Sequence, residues 1–313
     1  MSDAGQGMLV TAPERWDEAC FAVPALRALA ASGLPVSVLC PAAQETFWQT
    51  LPGLSVLPYP AKASANTVAS SLSGKFAAAL IWEPGVAADA CAKAGIPRRT
   101  GPGGDKALSK RLTDPLPLPT PGPIEHRVRH YLAPIEAMGI ETRVAAYFEP
   151  IDQLAPPAPG TALLVPDSDF GRSHEWPLDR WETVARALLE TGTRLTLAGI
   201  PGGGGLAAKL AKTLGDSVRT TDLFPSGEVL PLLAAHERVI AADGSLPHLA
   251  AHAGATCIVL FGPNEPAWKR PLGKRHTVLR RHVECSPCFA PKCALDLRCQ
   301  HELEMEKVLA AVK

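Results

Sequence analysis

Short apolar runs alternate with longer segments of helical periodicity along most of the chain. In the first half, Met8–Thr11, Val36–Leu39 and Ala77–Trp82 have the pattern of buried strands. The segments Ala22–Ser32 and Val86–Ala94 have a helical period and separate these runs. Strands that alternate with helices form parallel sheets covered by helices on both faces. The first half is therefore predicted to be an α/β domain with a doubly wound parallel sheet.

The same alternation begins again after Leu154–Gly160, an uncharged and proline-rich segment that is typical of a domain linker. At 313 residues the chain is long enough for two domains. We therefore predict two Rossmann-like domains, residues 1–155 and 156–313, with ligands bound at the carboxyl ends of their strands. The elements predicted for the second domain are strands Ala162–Val165, Arg194–Ala198, Arg238–Ala242 and Thr256–Phe261, and helices Leu178–Glu190, Leu206–Leu214, Glu228–Ala235 and Pro247–Ala253.

Two other segments are interpreted from their composition. The proline-dominated stretch Pro115–Pro123 predicts an exposed loop, after which Glu125–Met138 resumes a helical period. The N-terminal residues Met1–Gly5 contain no basic segment followed by an apolar run, and no stretch reaches the roughly 18 apolar residues of a spanning helix. A cytoplasmic location is therefore expected.

The charges balance, with 31 Lys and Arg against 31 Asp and Glu, so no global field draws the protein to nucleic acid. No nucleic-acid partner is expected. Five basic residues form a local group that could reach the inner face of the cytoplasmic membrane, although a solvated loop is the better interpretation. They are Arg98, Arg99, Lys106, Lys110 and Arg111.

Four of the eight cysteines lie close together near the C-terminus. Cys285, Cys288, Cys293 and Cys299 form a C-x2-C-x4-C-x5-C cluster, a thiolate spacing that suits a structural zinc ion. A local disulfide or free thiols are the alternatives. The segment Ala294–Leu297 lacks the basic and aromatic residues that a nucleic-acid-binding zinc module needs.

Candidate ligand-binding residues follow a predicted strand of the second half. Asp243 comes directly after that strand, and Gly244 and Ser245 allow a tight turn. Pro247 is predicted to open a helix whose free N–H groups favour a diphosphate, with His248 in its first turn. In the alternative interpretation Asp243 and Ser245 cap the helix and His248 packs against it.

The loop Pro166–Pro177 follows the first strand of the second half and supplies further candidates. Ser168, Arg172, Ser173 and His174 are predicted to contact a phosphate-bearing ligand, because small hydroxyl residues let phosphates approach backbone N–H groups and arginine binds phosphate bidentately. An ordinary polar loop is the alternative.

Several glycines follow the predicted strand Arg194–Ala198. Gly199 is a candidate donor contact, and Gly202–Gly205 would let a ligand approach the backbone closely or would simply be flexible. No G-x-G-x-x-G motif follows the first strand of the chain, where Thr11–Arg15 stands instead. This argues against a dinucleotide oxidoreductase.

Two acidic residues are candidates for a general base. Asp17 and Glu18 come before the predicted helix that contains Pro24. Alternatively, they are acidic residues that stabilise a helix N-terminus.

The motifs occur in an order that resembles glycosyltransferase family 9, the bacterial lipopolysaccharide heptosyltransferases. Asp243–Ala251 followed by Val259–Pro266 resembles the family's Asp, small turn, His-Leu-Ala-Ala and strand ending in Phe-Gly-Pro. Trp176–Trp181 resembles its Trp-Pro helix opening, and Val23–Leu29 resembles its N-terminal Pro-Ala-Leu helix. The cysteine cluster also recurs in many members.

This resemblance implies a GT-B fold, in which two Rossmann-like domains face each other across a cleft. It implies metal-independent, inverting transfer of a sugar, heptose from ADP-heptose in the best-known members, to a lipopolysaccharide core or another glycan or lipid-linked acceptor. The donor would bind mainly to the second domain through Asp243 and His248. Glu18 would deprotonate the acceptor hydroxyl, with Asp17 in reserve. Peripheral association with the inner face of the membrane follows from a lipid-linked acceptor.

The sequence departs from the family pattern at three positions. His174 stands at the position where the family usually has a Lys before Trp-Pro, and Arg172 is expected to supply the missing positive charge. The family's acidic residue that contacts the nucleoside would fall in the glycine run Gly202–Gly205, which has no carboxylate. The Asp that acts as the general base in the family is replaced by Glu18. A non-catalytic nucleotide-sugar-binding relative and a sugar-nucleotide epimerase therefore remain alternative functions.

Overall fold

The computed structural model describes residues 7–118, 122–151 and 154–312, and the chain divides into two compact units. The first unit is Met1–Glu149 with Ser226–Glu228, and the second is Pro150–Pro225 with Val229–Lys313. The interpretation of Met1–Gly5 lies outside the described residues, as does the part of the proline-rich stretch at 119–121. None of the helices in the described ranges is long and apolar enough to cross a bilayer.

The first unit is built on a six-stranded parallel sheet. Its strands are β1 (Met8–Thr11), β2 (Val36–Pro41), β3 (Leu54–Tyr59), β4 (Ala78–Leu80), β5 (Arg98–Pro102) and β6 (Asp114–Leu116). Its helices are α1 (Trp16–Ala31), α2 (Glu45–Trp48), α3 (Ala65–Leu72), α4 (Val86–Lys93), α5 (Lys106–Ser109) and α6 (Arg129–Ala137). The strand order β3-β2-β1-β4-β5-β6 reverses its direction of winding between β1 and β4. In such sheets, ligands bind at this switch point, outside the carboxyl ends of the strands.

The second unit contains a second six-stranded parallel sheet. Its strands are β7 (Ala158–Val165), β8 (Arg194–Gly199), β9 (Arg219–Asp222), β10 (His236–Ala242), β11 (Thr256–Phe261) and β12 (Thr277–Arg280). Its helices are α7 (Leu178–Glu190), α8 (Leu206–Leu214), α9 (Leu230–Ala234), α10 (Ser245–His252), α11 (Pro266–Lys269), α12 (Arg298–His301) and α13 (Met305–Val312). The strand order β12-β11-β10-β7-β8-β9 places its switch point between β7 and β10.

The predicted α/β fold with doubly wound parallel sheets is confirmed. Strands β1 and β11 and helices α7 and α8 have the predicted bounds. The central strands carry mostly buried apolar residues, because helices cover both faces of each sheet. Each unit has an apolar core of its own, and that of the second unit includes Trp176 and Trp181, whose rings pack edge to face with centroids 5.6 Å apart.

Several predicted boundaries were wrong. Helix α1 begins at Trp16 rather than Ala22, so Asp17 and Glu18 lie within its first turn, where acidic side chains are favourable. Helix α6 begins at Arg129 rather than Glu125, and just before it the Val128 N–H bonds to the His126 ring at 3.2 Å.

Three proline-based predictions also need correction. Pro115 lies in β6, which a proline tolerates because β6 is an edge strand. The linker segment ends before Ala158, where β7 begins and pairs with β10. Helix α10 begins at Ser245 rather than Pro247.

Candidate functional site

Asp243 lies at the switch point of the second unit, directly after β10, and its side chain is fully buried. Its Oδ2 atom accepts hydrogen bonds from Nδ1 of His174 at 3.0 Å and Nδ2 of Asn264 at 2.6 Å. Its Oδ1 atom is buried and has no hydrogen-bond partner among the described residues. Burying a hydrogen-bond acceptor without a donor costs free energy of folding, so a ligand hydroxyl that donates to this oxygen would bind favourably.

The loop after β7 closes around the start of α10. The Ser168 hydroxyl donates to the Asp243 carbonyl at 2.6 Å, and Oδ1 of Asp169 accepts the Ser245 N–H at 2.8 Å. A Cβ atom on Gly244 would lie 2.7 Å from Asp169 Oδ1, so a larger residue there would push the Asp169 carboxylate aside. A diphosphate at this helix N-terminus would therefore have to displace the Asp169 carboxylate.

The glycine run is closely packed in the structure. Oε1 of the buried Glu175 accepts the N–H groups of Ser168 at 3.1 Å and Gly204 at 2.7 Å. A Cβ atom on Gly204 would lie 2.1 Å from Glu175 Oε2, and one on Gly203 would lie 2.8 Å from the Asp167 Cβ. Glycine is thus required by the close approach of two acidic side chains, and Glu175 joins two loops of the site.

A cavity of about 530 Å³ lies beside β8 and β9, within the size range of small-molecule sites. Gly199 lines it, as predicted for a donor contact, together with the carboxylates Asp167 and Asp222. Oδ1 of Asp167 also accepts the Leu206 N–H at 2.7 Å and so caps α8. The remaining lining is mainly apolar, with two threonines: Leu197, Ile200, Pro201, Gly205, Ala207, Ala208, Ala211, Thr220 and Thr221.

The other predicted donor residues fall into different environments. Arg172 is exposed, and no described group pairs with its guanidinium. Ser173 is buried, and its hydroxyl donates to the Ala290 carbonyl, so the structure places it against the cysteine-rich segment. His248 is buried in the first turn of α10.

Lys269 is a site residue that the sequence analysis missed. It is 5% exposed, and its Nζ atom lies 5.7 Å from the ring centroid of Phe170. The Phe170 ring in turn packs edge to face against His174. A lysine thus lies in this neighbourhood, although His174 replaces the lysine of the family pattern. Nothing in the local sequence of α11 indicates this placement, which depends on the tertiary fold.

The four clustered cysteines, all within the described ranges, are free thiols and form no disulfide. Burial, with smaller contributions from the other three cysteines, raises the pKa of Cys299 to about 11. The described residues contain no group of three ligands placed to hold a metal ion. The zinc site at Cys285, Cys288, Cys293 and Cys299 stays a prediction.

The cysteine-rich segment instead supports the loops of the site. The Ser286 hydroxyl donates to the Gly262 carbonyl at 3.0 Å, and Nε2 of Gln300 donates to the Ser173 carbonyl at 3.1 Å. The segment thus fixes the loops that follow β7 and β11.

In the first unit, both predicted bases pair with arginine. Glu18 is 6% exposed, and its Oε2 atom accepts from Nε of Arg127 at 2.8 Å and from the Tyr131 hydroxyl at 2.7 Å. Asp17 is fully buried and accepts two bonds from the Arg15 guanidinium, at 3.1 and 3.0 Å.

Glu83 is a third carboxylate of this unit that the sequence analysis missed. Its Oε1 atom accepts the Glu14 N–H at 3.0 Å. Burial raises the pKa of Glu83 to about 7; the backbone bond and Arg127 oppose this rise, and Glu18 and Glu14 add to it. An acidic residue just after the apolar run that forms β4 is the sequence signal that could have identified it.

Comparisons with known proteins agree with the motif order. Residues 146–298 match the model of glycosyltransferase family 9 (heptosyltransferase). Over 147 residues the chain is 27% identical to lipopolysaccharide heptosyltransferase 1 of Pseudomonas aeruginosa, covering 45% of this chain and 40% of that protein. The aligned stretch therefore spans less than half the length of this relative.

Solved structures extend the similarity to nearly the whole chain. E. coli ADP-heptose lps heptosyltransferase II is 20% identical, with a TM-score of 0.72 over 98% of this chain and 99% of its own. E. coli heptosyltransferase WaaC with ADP is 17% identical, with a TM-score of 0.75 over 97% of this chain and 98% of its own. These similarities confirm the GT-B class of fold. Residues 146–298 of this chain therefore belong to glycosyltransferase family 9 (heptosyltransferase).

Proposed function

We propose that this protein transfers a sugar, heptose or a related one, from a nucleoside diphosphate donor to a lipopolysaccharide core or another glycan. ADP-heptose is the first donor to test, and the transfer is inverting and needs no metal ion. The family match and the similarity to the Pseudomonas lipopolysaccharide heptosyltransferase support this class of reaction. The observation that carries the proposal is the buried Asp243, with one unpaired oxygen, at the switch point of the second unit.

The surroundings of Asp243 suit the parts of a nucleotide sugar. The cavity beside β8 and β9 has apolar walls for a base, and Asp222 offers a carboxylate to ribose hydroxyls. Asp222 thereby replaces the acidic nucleoside contact that the glycine run lacks. Arg172 carries an exposed guanidinium suited to a diphosphate, and Asp243 Oδ1 would accept a hydrogen bond from a sugar hydroxyl.

The resemblance gives the role of base to Glu18. In that role Glu18 would accept the proton of the acceptor hydroxyl while the bond between the anomeric carbon and the diphosphate breaks. Its Oε2 atom lies 2.8 Å from Nε of Arg127, with which it forms an ion pair.

One observation favours the alternative of a non-catalytic nucleotide-sugar binder. Both predicted bases, Asp17 and Glu18, are neutralised by arginine side chains. A binder would retain donor affinity and show no turnover, whereas an epimerase would convert the donor without any acceptor.

Membrane association and a cytoplasmic location stay predictions. Within the local basic group, Arg98 pairs with Asp114 at 3.2 Å and Arg111 pairs with Asp89 at 2.6 Å. These ion pairs reduce the charge that the group could present to an anionic lipid surface.

Calorimetric titration of the wild type and Asp243→Asn with ADP-, GDP-, UDP- and dTDP-sugars tests the donor site. The variant should bind the preferred donor about tenfold or more weakly, because it loses a charge-assisted hydrogen bond. Asp216→Asn alters an exposed aspartate of the same unit and should leave the affinity unchanged.

Mass spectrometry of glycan acceptors incubated with the preferred donor then tests for transfer. Absence of binding to every nucleotide sugar, or equal affinity of the wild type and Asp243→Asn, would contradict the donor site. Binding without transfer to any acceptor would establish the non-catalytic alternative.

A further inference from the structure

The N-terminus of α10 lies at the switch point of the second unit, and its N-cap residue cannot cap it. That residue is Gly244, which has no side chain to accept a hydrogen bond. Pro247 is the third residue of the helix and has no N–H, so Ser245 and Leu246 supply the N–H donors among the first three residues. A cap for α10 therefore has to come from another segment or from a ligand.

Asp169 supplies that cap from the loop after β7. Its Oδ1 atom accepts the Ser245 N–H at 2.8 Å. The same oxygen lies 2.7 Å from the place that a Cβ atom on Gly244 would take, so the carboxylate rests against the backbone of this glycine. Asp169 is exposed, whereas Gly244 and Ser245 are buried. A carboxylate that reaches in from the surface thus occupies the position at which a helix N-terminus binds an anion.

A buried atom in the same turn points to a polar ligand. Asp243 directly precedes Gly244, its side chain is fully buried, and its Oδ1 atom has no hydrogen-bond partner among the described residues. His174 and Asn264 hold the other oxygen at 3.0 and 2.6 Å, which fixes the orientation of the carboxylate. Buried polar atoms without a partner are rare in native proteins, so a ligand is expected at this turn.

The backbone on both sides of Asp169 is held in place. The Ser168 hydroxyl donates to the Asp243 carbonyl at 2.6 Å and accepts the Phe170 N–H at 3.1 Å. The Phe170 ring packs edge to face against His174. Displacement of the Asp169 carboxylate therefore needs a rotation of its exposed side chain and no movement of the loop.

A positive charge lies close to this loop. Nζ of Lys269 is 5.7 Å from the ring centroid of Phe170, which follows Asp169 in the chain, and Lys269 is 5% exposed. A cation in such a poorly hydrated position attracts an anion more strongly than a cation in water does. The turn therefore suits a diphosphate, and the Asp169 carboxylate is the anionic group of the chain that bonds to the Ser245 N–H.

We propose that Asp169 competes with the diphosphate of the donor for the N-terminus of α10 and thereby sets the affinity of the site for donor and product. This inference rests on the proposed glycosyl transfer for the identity of the ligand. The Ser245 N–H bonds either to the Asp169 carboxylate or to a phosphate oxygen, and no covalent bond changes in the exchange.

The size of the effect follows from the strength of a helix cap. A side-chain cap shifts an equilibrium by a factor of about five, so a ligand that must displace the Asp169 carboxylate loses about that factor in affinity. A cap with a purely structural role predicts the opposite sign, because its removal would loosen α10 and weaken the binding of any ligand there.

The test is calorimetric titration of the wild type, Asp169→Asn and Asp169→Ala with inorganic pyrophosphate, ADP and ADP-heptose. Asp169→Ala should bind each of them about fivefold more tightly than the wild type. Asp169→Asn should fall between the two, because its amide oxygen still accepts the Ser245 N–H but carries no charge. Asp216→Asn removes an exposed negative charge from the same unit and should match the wild type.

The ratio of two affinities provides an internal control. The diphosphate is common to ADP and ADP-heptose, so both should tighten by the same factor and the ratio of their dissociation constants should stay unchanged. Tightening of ADP-heptose alone would place Asp169 beside the sugar and overturn the competition for the helix N-terminus.

Thermal unfolding separates competition from a loosened helix. Without added ligand, Asp169→Ala should melt at a lower temperature than the wild type, because α10 loses its cap. At a high fixed concentration of pyrophosphate the difference should shrink, because the ligand then stabilises the variant more than the wild type. A difference that stays constant or grows with pyrophosphate would contradict the proposal.

The outcomes separate this inference from the proposed function. Equal or weaker binding of pyrophosphate and ADP in both Asp169 variants overturns the role of Asp169, even where the wild type transfers sugar. Tighter binding in the variants with no sugar transfer by the wild type overturns the proposed function and leaves the competition standing. Absence of pyrophosphate and ADP binding in all three proteins overturns the inference.

Discussion

Two arginine–glutamate pairs of the first unit have similar geometry but different exposure. Arg127 and Glu18 are 2.8 Å apart with side chains 16% and 7% exposed, whereas Arg129 and Glu136 are 2.8 Å apart with side chains 40% and 28% exposed. Water screens the second pair and hardly reaches the first. Removing one partner should therefore have very different effects in the two pairs.

Arg127→Met is expected to lower the free energy of unfolding by about 3–5 kcal/mol at pH 7, because it removes the arginine partner of the buried Glu18 carboxylate. The loss should shrink in the double variant with Glu18→Gln, which carries no buried charge at this position. Arg129→Met should cost about 0–1 kcal/mol. Urea unfolding monitored by circular dichroism measures these differences, and equal losses in both single variants would refute the argument.

Single residues were predictable where strand position alone decides their place. Asp243 follows an apolar run, and this is sufficient to place it at the carboxyl end of a strand. Its partners His174 and Asn264 come from other loops, so only the strand order brings them together. Glu83 was missed because a single acidic residue has no distinctive spacing.

At the scale of elements, the loops of the second unit are held by Glu175. This buried carboxylate bonds to the loop after β7 and to the glycine run before α8. Four consecutive glycines also indicate simple flexibility, yet two glycines of this run contact acidic side chains. Its sequence is therefore constrained by packing.

Gly204→Ala should destabilise the second unit by about 1–3 kcal/mol, because its Cβ atom would force Glu175 away from Ser168. Donor affinity should fall as well, since Ser168 supports Asp243. Gly122→Ala is the matched control, because its Cβ atom meets nothing within 4 Å. Thermal unfolding and donor titration measure both effects, and an unaltered Gly204→Ala variant would show that the loop adapts.

Central elements were predictable and peripheral strands were not. Strands β1 and β11 are largely buried apolar runs, and α7 follows Pro177 with a regular amphipathic pattern. The outer strands β9 (Arg219–Asp222) and β12 (Thr277–Arg280) are short, partly exposed and polar. Their conformation comes from pairing with an inner neighbour, which local sequence does not encode.

At the scale of the whole molecule, both units use one sheet topology with different chemistry at the switch point. The first switch point carries several carboxylates with Arg127, whereas the second carries Asp243 with His174 and Asn264. Sheet order was not predictable from the sequence, because it depends on contacts between distant segments. The repeated alternation of strands and helices did predict two α/β units.

The unpaired Oδ1 atom of Asp243 also bears on how fast the product leaves. A sugar hydroxyl would satisfy this oxygen while the donor is bound, and transfer removes that hydroxyl. The nucleoside diphosphate product should therefore bind about tenfold more weakly than the donor. Competitive titration of product against donor measures this ratio, which should approach one in Asp243→Asn. If the wild-type ratio is already one, Asp243 does not contact the sugar; otherwise the cost of a buried, unpaired oxygen drives product release and keeps product inhibition weak.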